Sequence, residues 1–113
     1  MTNIPAIYQG KLNTLDQIKV SPLSRAYTFS DSIYEVIPYF LGKPLCYKEH
    51  FDRMIQSSHL MGLDVDFDSA TKDIKELAAT LNNQDGYVYY QISRGVDMVR
   101  SHIYHDDLEI ERF

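Results

Sequence analysis

The sequence is poor in several things, and each shortage excludes something. It has a single cysteine, Cys46, so no disulfide can form within the chain, which fits a reducing compartment. It has no tryptophan, only 5 glycines and 4 prolines, and no low-complexity or repeated stretch. Lys and Arg number 11 against 16 Asp and Glu, giving a net charge of −5, and the basic residues are not clustered. Nucleic-acid binding, which needs a basic face to displace counterions, is therefore not expected. The longest apolar run is Val36–Leu41, interrupted in character by Pro38 and far too short to cross a bilayer. The opening residues, Met1-Thr2-Asn3-Ile4-Pro5, lack a basic stretch followed by an apolar one. No secretory leader or membrane association is expected, and the cytoplasm is the default location.

What remains is an ordinary globular composition, 44% hydrophobic and 24% charged, with nine tyrosines. At 113 residues the chain suits one small domain. Tyrosine joins a large apolar ring to a polar hydroxyl, which suits half-buried strands and the walls of clefts.

Along the chain, Ile4–Gln9 reads as a strand, Gln9-Gly10 as a turn and Lys11–Asn13 as a return strand, with Ile18–Val20 extending that edge. Ser24–Ser32 is polar and turn-rich. Ile33–Phe40 is dominated by β-branched and aromatic residues and reads as a strand; its alternation puts Tyr34 and Val36 on one face and Ile33, Glu35 and Ile37 on the other. A turn at Gly42-Lys43-Pro44 leads into a short strand, Pro44–Cys46. Helices are predicted over Lys48–Met61, stopped by Gly62, and over about Ser69–Leu81, capped by Asp68. Tyr87–Ser93 reads as a strand buried on both faces, Gly95–His105 as a loop, and Asp107–Phe113 as the start of another strand. The order predicts an α+β fold, a two-layer sandwich of a mainly antiparallel sheet with two helices on one face. The Tyr87–Ser93 strand has no obvious later partner, so an open edge is expected there.

Four segments carry chemistry together. They are Arg25 to Val36 (RAYTFSDSIYEV), the Gly42-Lys43-Pro44 turn, Glu49-His50-Phe51-Asp52-Arg53-Met54, and Tyr89 to Gly95 (YYQISRG) followed by Arg100-Ser101-His102. In this order and spacing, from about Ile7 to His102, they resemble the class IV (fold type IV) pyridoxal-phosphate aminotransferases, and among these the D-alanine, or D-amino-acid, aminotransferases.

The resemblance implies that Arg53 binds the phosphate of pyridoxal 5'-phosphate, for which the planar fork of guanidinium donors is well suited. Alone, Arg53 reads more readily as a surface arginine paired with Asp52 or Glu49. The resemblance implies a substrate-facing role for Tyr34, whose hydroxyl would donate to the carboxylate, where the ordinary fate of a strand tyrosine is the core. It also implies that Arg100 and His102 form a substrate-carboxylate trap reaching the site of a second subunit, and hence a homodimer. Without it they are exposed loop residues. His50, Arg25 and Glu35 match the family pattern and are read as structural, the last two orienting the turn and the strand. Two departures are visible. Serines 30 and 32 stand where the family favours glycine, and Val96–Val99 places four residues between Gly95 and Arg100, one more than the family spacing, with Val99 in place of a proline. His102 and His105 have no cysteine beside them, and no metal site is expected.

The family's Schiff-base lysine belongs to a larger C-terminal domain, and none of Lys11, Lys19, Lys43, Lys48, Lys72 and Lys75 lies in a matching context. Residues 1–113 are therefore expected to be an N-terminal domain without its catalytic-lysine domain, holding no catalytic residue, not retaining the cofactor and inactive alone. In a complete enzyme the implied reaction is transfer of an amino group from a D-amino acid to a keto acid in two half-reactions. Alternatives within the class are aminodeoxychorismate lyase and branched-chain aminotransferase, both disfavoured by the Arg100/His102 pair. Outside it stands a non-catalytic α+β module that dimerises through the Tyr87–Arg94 edge.

Overall fold

The computed structural model describes residues 3–113. Met1 and Thr2, the first residues of the stretch read for a leader, lie outside them. The chain opens with a hairpin, β1 (Pro5–Tyr8) and β2 (Lys11–Thr14), turned at Gly10, whose φ of +80° suits glycine. A single 3-10 turn, Leu15–Gln17, follows, and Ile18–Val20 joins no strand, contrary to the expected edge extension. Pro22 follows that segment, and its lack of an N–H disfavours further ladder pairing.

A second sheet has the order β4-β3-β5-β6, all neighbours antiparallel. Its spine is β3 (Ser32–Phe40) against β5 (Gly86–Ser93), paired from Ser32↔Ser93 to Tyr39↔Gly86. β4 is Lys43–Pro44, starting within the expected turn and ending before Leu45 and Cys46, the latter standing at the N-cap of the next helix, so the expected strand Pro44–Cys46 is displaced. β6 is Glu111–Arg112. The two long helices, α2 (Tyr47–Met61) and α3 (Phe67–Ala79), pack on one face of this sheet, α2 on β3 and α3 on β5 and β1. This is the α+β, two-layer arrangement expected. The core between the layers is built from Ile37, Met54, Ile74, Val88, Tyr90 and Ile92, each at most 4% exposed.

Three readings need correction. A short helix, α1 (Arg25–Phe29), lies within the supposed turn segment, started by Ser24, whose side chain accepts from the Ala26 N–H, and stopped by Ser30. Five residues are too few to display a hydrophobic period, so the sequence hid it. Second, α3 is capped by Asp66, which accepts from the N–H groups of Asp68 and Ser69, and not by Asp68. The earlier start brings Phe67 edge-on to Phe51, centroids 6.1 Å apart. Third, β5 is not buried on both faces. Val88, Tyr90 and Ile92 face the helices while Tyr87 and Tyr89 are 67% and 45% exposed on the other side. Counting tyrosine as apolar made an alternating strand look continuous.

The β5 edge is also partly closed by the chain's own return. β6 pairs Ile92 with Arg112 and Ser93 with Glu111, and Gln91 and Phe113 exchange backbone hydrogen bonds. Three buried carboxylates tie the peripheral segments together. Glu111 accepts from the Tyr8 and Ser24 hydroxyls, Asp73 from the Tyr90 hydroxyl with Arg112 3.3 Å away, and Asp31 from two arginines. Burial, then the bond to Glu111, pushes the Tyr8 phenol up to about 12.

Candidate functional site: two arginine-bearing groups

The first group is built on β3 and α2. Because strand side chains alternate, Tyr34 projects onto the open face, 61% exposed, while Glu35 projects toward α2, 5% exposed. Tyr34 stacks on Tyr89 of the neighbouring strand, with centroids 5.3 Å apart and planes 17° from parallel. On α2, His50 and Arg53 are three residues apart and so share a helix face. Both reach Glu35. Arg53 donates from Nε and Nη2 to the two carboxylate oxygens, each at 2.7 Å, and His50 Nδ1 lies 2.8 Å from Oε1.

Arg53 therefore pairs with neither Glu49 nor Asp52; Asp52 takes Lys48 instead. Its side chain stays 64% exposed, and among the described residues its Nη1 donates to nothing. Burial alone would push the Glu35 carboxyl up, but hydrogen bonds from Arg53 and His50 outweigh it and hold the group below its ordinary value. In return Glu35 raises the Arg53 pKa, chiefly through the hydrogen bond, with a minor contribution from the nearby Tyr34 phenol. A permanently cationic fork is thus held by one edge at the rim of the sheet with its other edge free. That is the donor set a phosphate group needs, so the residues present fit the phosphate end of pyridoxal phosphate.

The second group surrounds Phe29, the last residue of α1. The guanidinium of Arg100 lies 4.6 Å from the ring centroid, the His102 ring 5.0 Å from it, and Arg25 4.5 Å. Arg100 and His102 are exposed and stand together on one aromatic platform, in spite of the extra residue in their loop. Among the described residues, no hydrogen bond, ion pair or ring contact joins this group to Tyr34 or Arg53. The structure thus brings Arg100 and His102 together on Phe29 and moors Arg53 on Glu35, while Tyr34 stacks on Tyr89 across the opposite face of β3.

Sequence reasoning did not foresee Glu35 as the residue that aims Arg53, nor the Phe29 platform. The first had a signal, since alternation already put Glu35 opposite Tyr34. The second had none, because Phe29 and His102 meet only through tertiary structure. Ser30 explains one departure from the family pattern. It adopts a left-handed conformation, φ 53°, of the kind glycine takes most easily, and the chain makes that turn with serine at some strain. Of the six lysines, only Lys48 makes an ion pair among the described residues, and none bonds to Tyr34, His50 or Arg53.

Comparison with known proteins agrees with this geometry. The class IV amino-transferase family matches residues 32–110. The D-alanine aminotransferase of Listeria innocua serovar 6a is 36% identical over 89 residues, covering 77% of this chain and 31% of that protein. The protein of the same name from Staphylococcus haemolyticus is 36% identical over 89 residues, covering 77% of this chain and 32% of its own length. The chain spans about a third of these relatives. Among solved structures, 4-amino-4-deoxychorismate lyase from Pseudomonas aeruginosa superposes with a TM-score of 0.80 at 17% identity, over 94% of this chain and 37% of that one. Branched-chain aminotransferase from Thermoproteus uzoniensis, solved with norvaline, gives 0.77 at 19% identity, over 98% and 39%. At such identities these two attest the fold alone. The fold is the α+β fold of the matching part of these solved fold-type IV structures. The chain belongs to the class IV aminotransferase family.

Proposed function

We propose that this chain is the N-terminal domain of a pyridoxal-phosphate-dependent D-amino-acid transaminase, supplying a phosphate contact through Arg53 and substrate-carboxylate contacts through Tyr34, Arg100 and His102. The observation that carries the reading is the Arg53 fork, aimed by a buried Glu35 and left free on one edge. The names of the 36%-identical relatives favour the D-amino-acid branch. Bound cofactor supplies an electron sink for amino-group transfer. The residues here contribute position. Arg53 fixes one anionic end, and the phenol of Tyr34 offers a donor to the carboxylate at the other, so that the reacting carbon is held in one orientation. We assign Arg100 and His102 to a neighbouring subunit's site, and hence a homodimer, on the family resemblance. The proton-shuttling lysine is assigned to a further domain, the chain alone is assigned no turnover, and the cytoplasm is its proposed location.

The test is an NMR titration of the Arg53 Nε–H signal. Pyridoxal phosphate in large excess, exchanging rapidly rather than retained, is expected to shift it, pyridoxal without phosphate is not, and Arg53→Gln is expected to abolish the phosphate-dependent shifts at Tyr34. Equal responses to the two compounds, or none, would remove the phosphate assignment. D-glutamate formed from D-alanine and 2-oxoglutarate by the purified chain would overturn the assignment of the lysine elsewhere.

A further inference from the structure

We propose that Arg25, held with Arg94 on the buried carboxylate of Asp31, is a positioning residue that grips the middle of the Arg100-Ser101-His102 segment and so makes its two outer side chains converge. The role rests on the reading of Arg100 and His102 as carboxylate contacts; the grip itself stands on geometry.

Asp31, 8% exposed, joins α1 to β3 and accepts from Arg25 Nε at 2.9 Å, Arg94 Nε at 2.7 Å and Arg94 Nη2 at 3.2 Å. Each arginine then uses a remaining donor or face on what must be held. Arg25 Nη1 donates to the Ser101 carbonyl at 2.6 Å. Arg94 Nη2 donates to the Met61 carbonyl at 2.7 Å, and the face of its guanidinium lies 3.7 Å from the Tyr104 ring centroid. The near end of the loop is pinned chiefly by backbone, with the Gly95 N–H also donating to the Ser93 hydroxyl. The Arg25 N–H donates to the Gly95 carbonyl, the Asp97 N–H to that of Leu23, and Ser24 bridges Val96.

Between these pins the Val99 N–H donates to Asp97 Oδ1 within the loop, and the bond from outside it, that of Arg25, falls on the residue between the two candidate anion contacts. Arg25 holds the Ser101 carbonyl while its own guanidinium lies against Phe29, and Arg100 and His102 close on the same ring from either side of Ser101. The residues between Asp97 and Arg100 can therefore vary in number without moving the pair, because the pair is located from Arg25 and not from the pinned strand end. This accounts for the extra residue relative to the family spacing. Arg25 and Arg94 are 3% and 4% exposed, so neither has a surface left for a ligand, and neither is a contact residue itself.

The test uses the purified chain and Arg25→Lys, which keeps the charge but loses the second donor branch. The readouts are the ring-current shift that Phe29 imposes on the His102 imidazole protons, the rate of tryptic cleavage after Arg100, and the shift of the His102 signals on adding D-alanine at high millimolar concentration. Arg25→Lys is expected to move the imidazole protons toward their unstructured positions. It is expected to speed cleavage about ten-fold, the size of one lost charge-assisted hydrogen bond, and to weaken the D-alanine response by a similar factor, with amide protection at Val88 and Tyr90 unchanged. Asp31→Asn should do the same; if it does not fold, Arg25→Lys decides. A folded Arg25→Lys with parental imidazole shifts and cleavage rate would overturn the proposal. Loosening of the loop without any D-alanine response in the parent would leave the grip in place and remove the carboxylate reading instead.

Discussion

β3 and the turn before it carry two carboxylates four positions apart, Asp31 and Glu35, and each is flanked by two nitrogen-bearing side chains, two arginines at Asp31 and an arginine and a histidine at Glu35. The two sites resemble each other in formula and differ in access. Around Asp31 both guanidiniums are buried, with side chains 4% and 5% exposed. Around Glu35 the histidine is partly covered and the guanidinium is 64% exposed. A buried guanidinium must spend its donors on protein acceptors, because each one left unmatched costs free energy. An exposed one can keep an edge in water at little cost until an anion replaces the water. The same ion-pair chemistry therefore serves as a joint in one place and as a receptor in the other, and burial decides which.

The sharpest way to break the contrast is Asp31→Asn. It strands two buried guanidiniums and is expected to cost about 3–5 kcal/mol, read as a large loss in denaturation midpoint, or as failure to fold. Glu35→Gln should cost less, about 1–3 kcal/mol, since Arg53 can turn to solvent; its larger consequence should be a Tyr34 signal no longer responsive to pyridoxal phosphate. Acid sharpens the comparison further. Both carboxyls are held below their ordinary values, because their arginine bonds outweigh burial. Each therefore contributes stability that is present above the ordinary carboxyl range and is lost as pH falls through the lowered folded value. A urea-midpoint series in Asp31→Asn and Glu35→Gln should lose the corresponding part of the acid slope; an unchanged slope in both would contradict it. At the alkaline end Tyr8 gives the opposite sign. Its stabilisation is complete below its ordinary 10.0 and should disappear as pH rises through about 12, an effect Tyr8→Phe should remove. Arg53→Gln leaves the buried Glu35 carboxylate with His50 and one amide donor, so it should cost about as much as Glu35→Gln, while abolishing the phosphate response.

Much of this could be read from the sequence where one period dominates. The alternation of Ile33–Phe40 placed Tyr34 and Glu35 on opposite faces correctly, and the spacing of Phe51, Met54, Ile55 and Ser58 with Gly62 marked α2 to within a residue. The α3 cap was missed by two positions because Asp66 and Asp68 offer the same chemistry, and only the packing of Phe67 on Phe51 chooses between them. The partner of Arg53 was missed for a different reason. Glu49 and Asp52 are its neighbours in sequence, whereas Glu35 becomes one only after β3 has packed against α2. Neither the shared Phe29 surface nor the Arg25 bond to Ser101, separated by 76 positions, leaves any local trace.

Tyr34 and Glu35 are adjacent in the chain and face opposite ways, so a frame error in β3 is far more damaging than any replacement. Inserting or deleting one residue just before this pair would turn the ribbon inside out. The phenol would be driven among Met54 and Ile37, the acid would be stranded in water, and the arginine would lose its mooring in the same event. Natural variants should accordingly tolerate exchange along β3 much better than any change in its length.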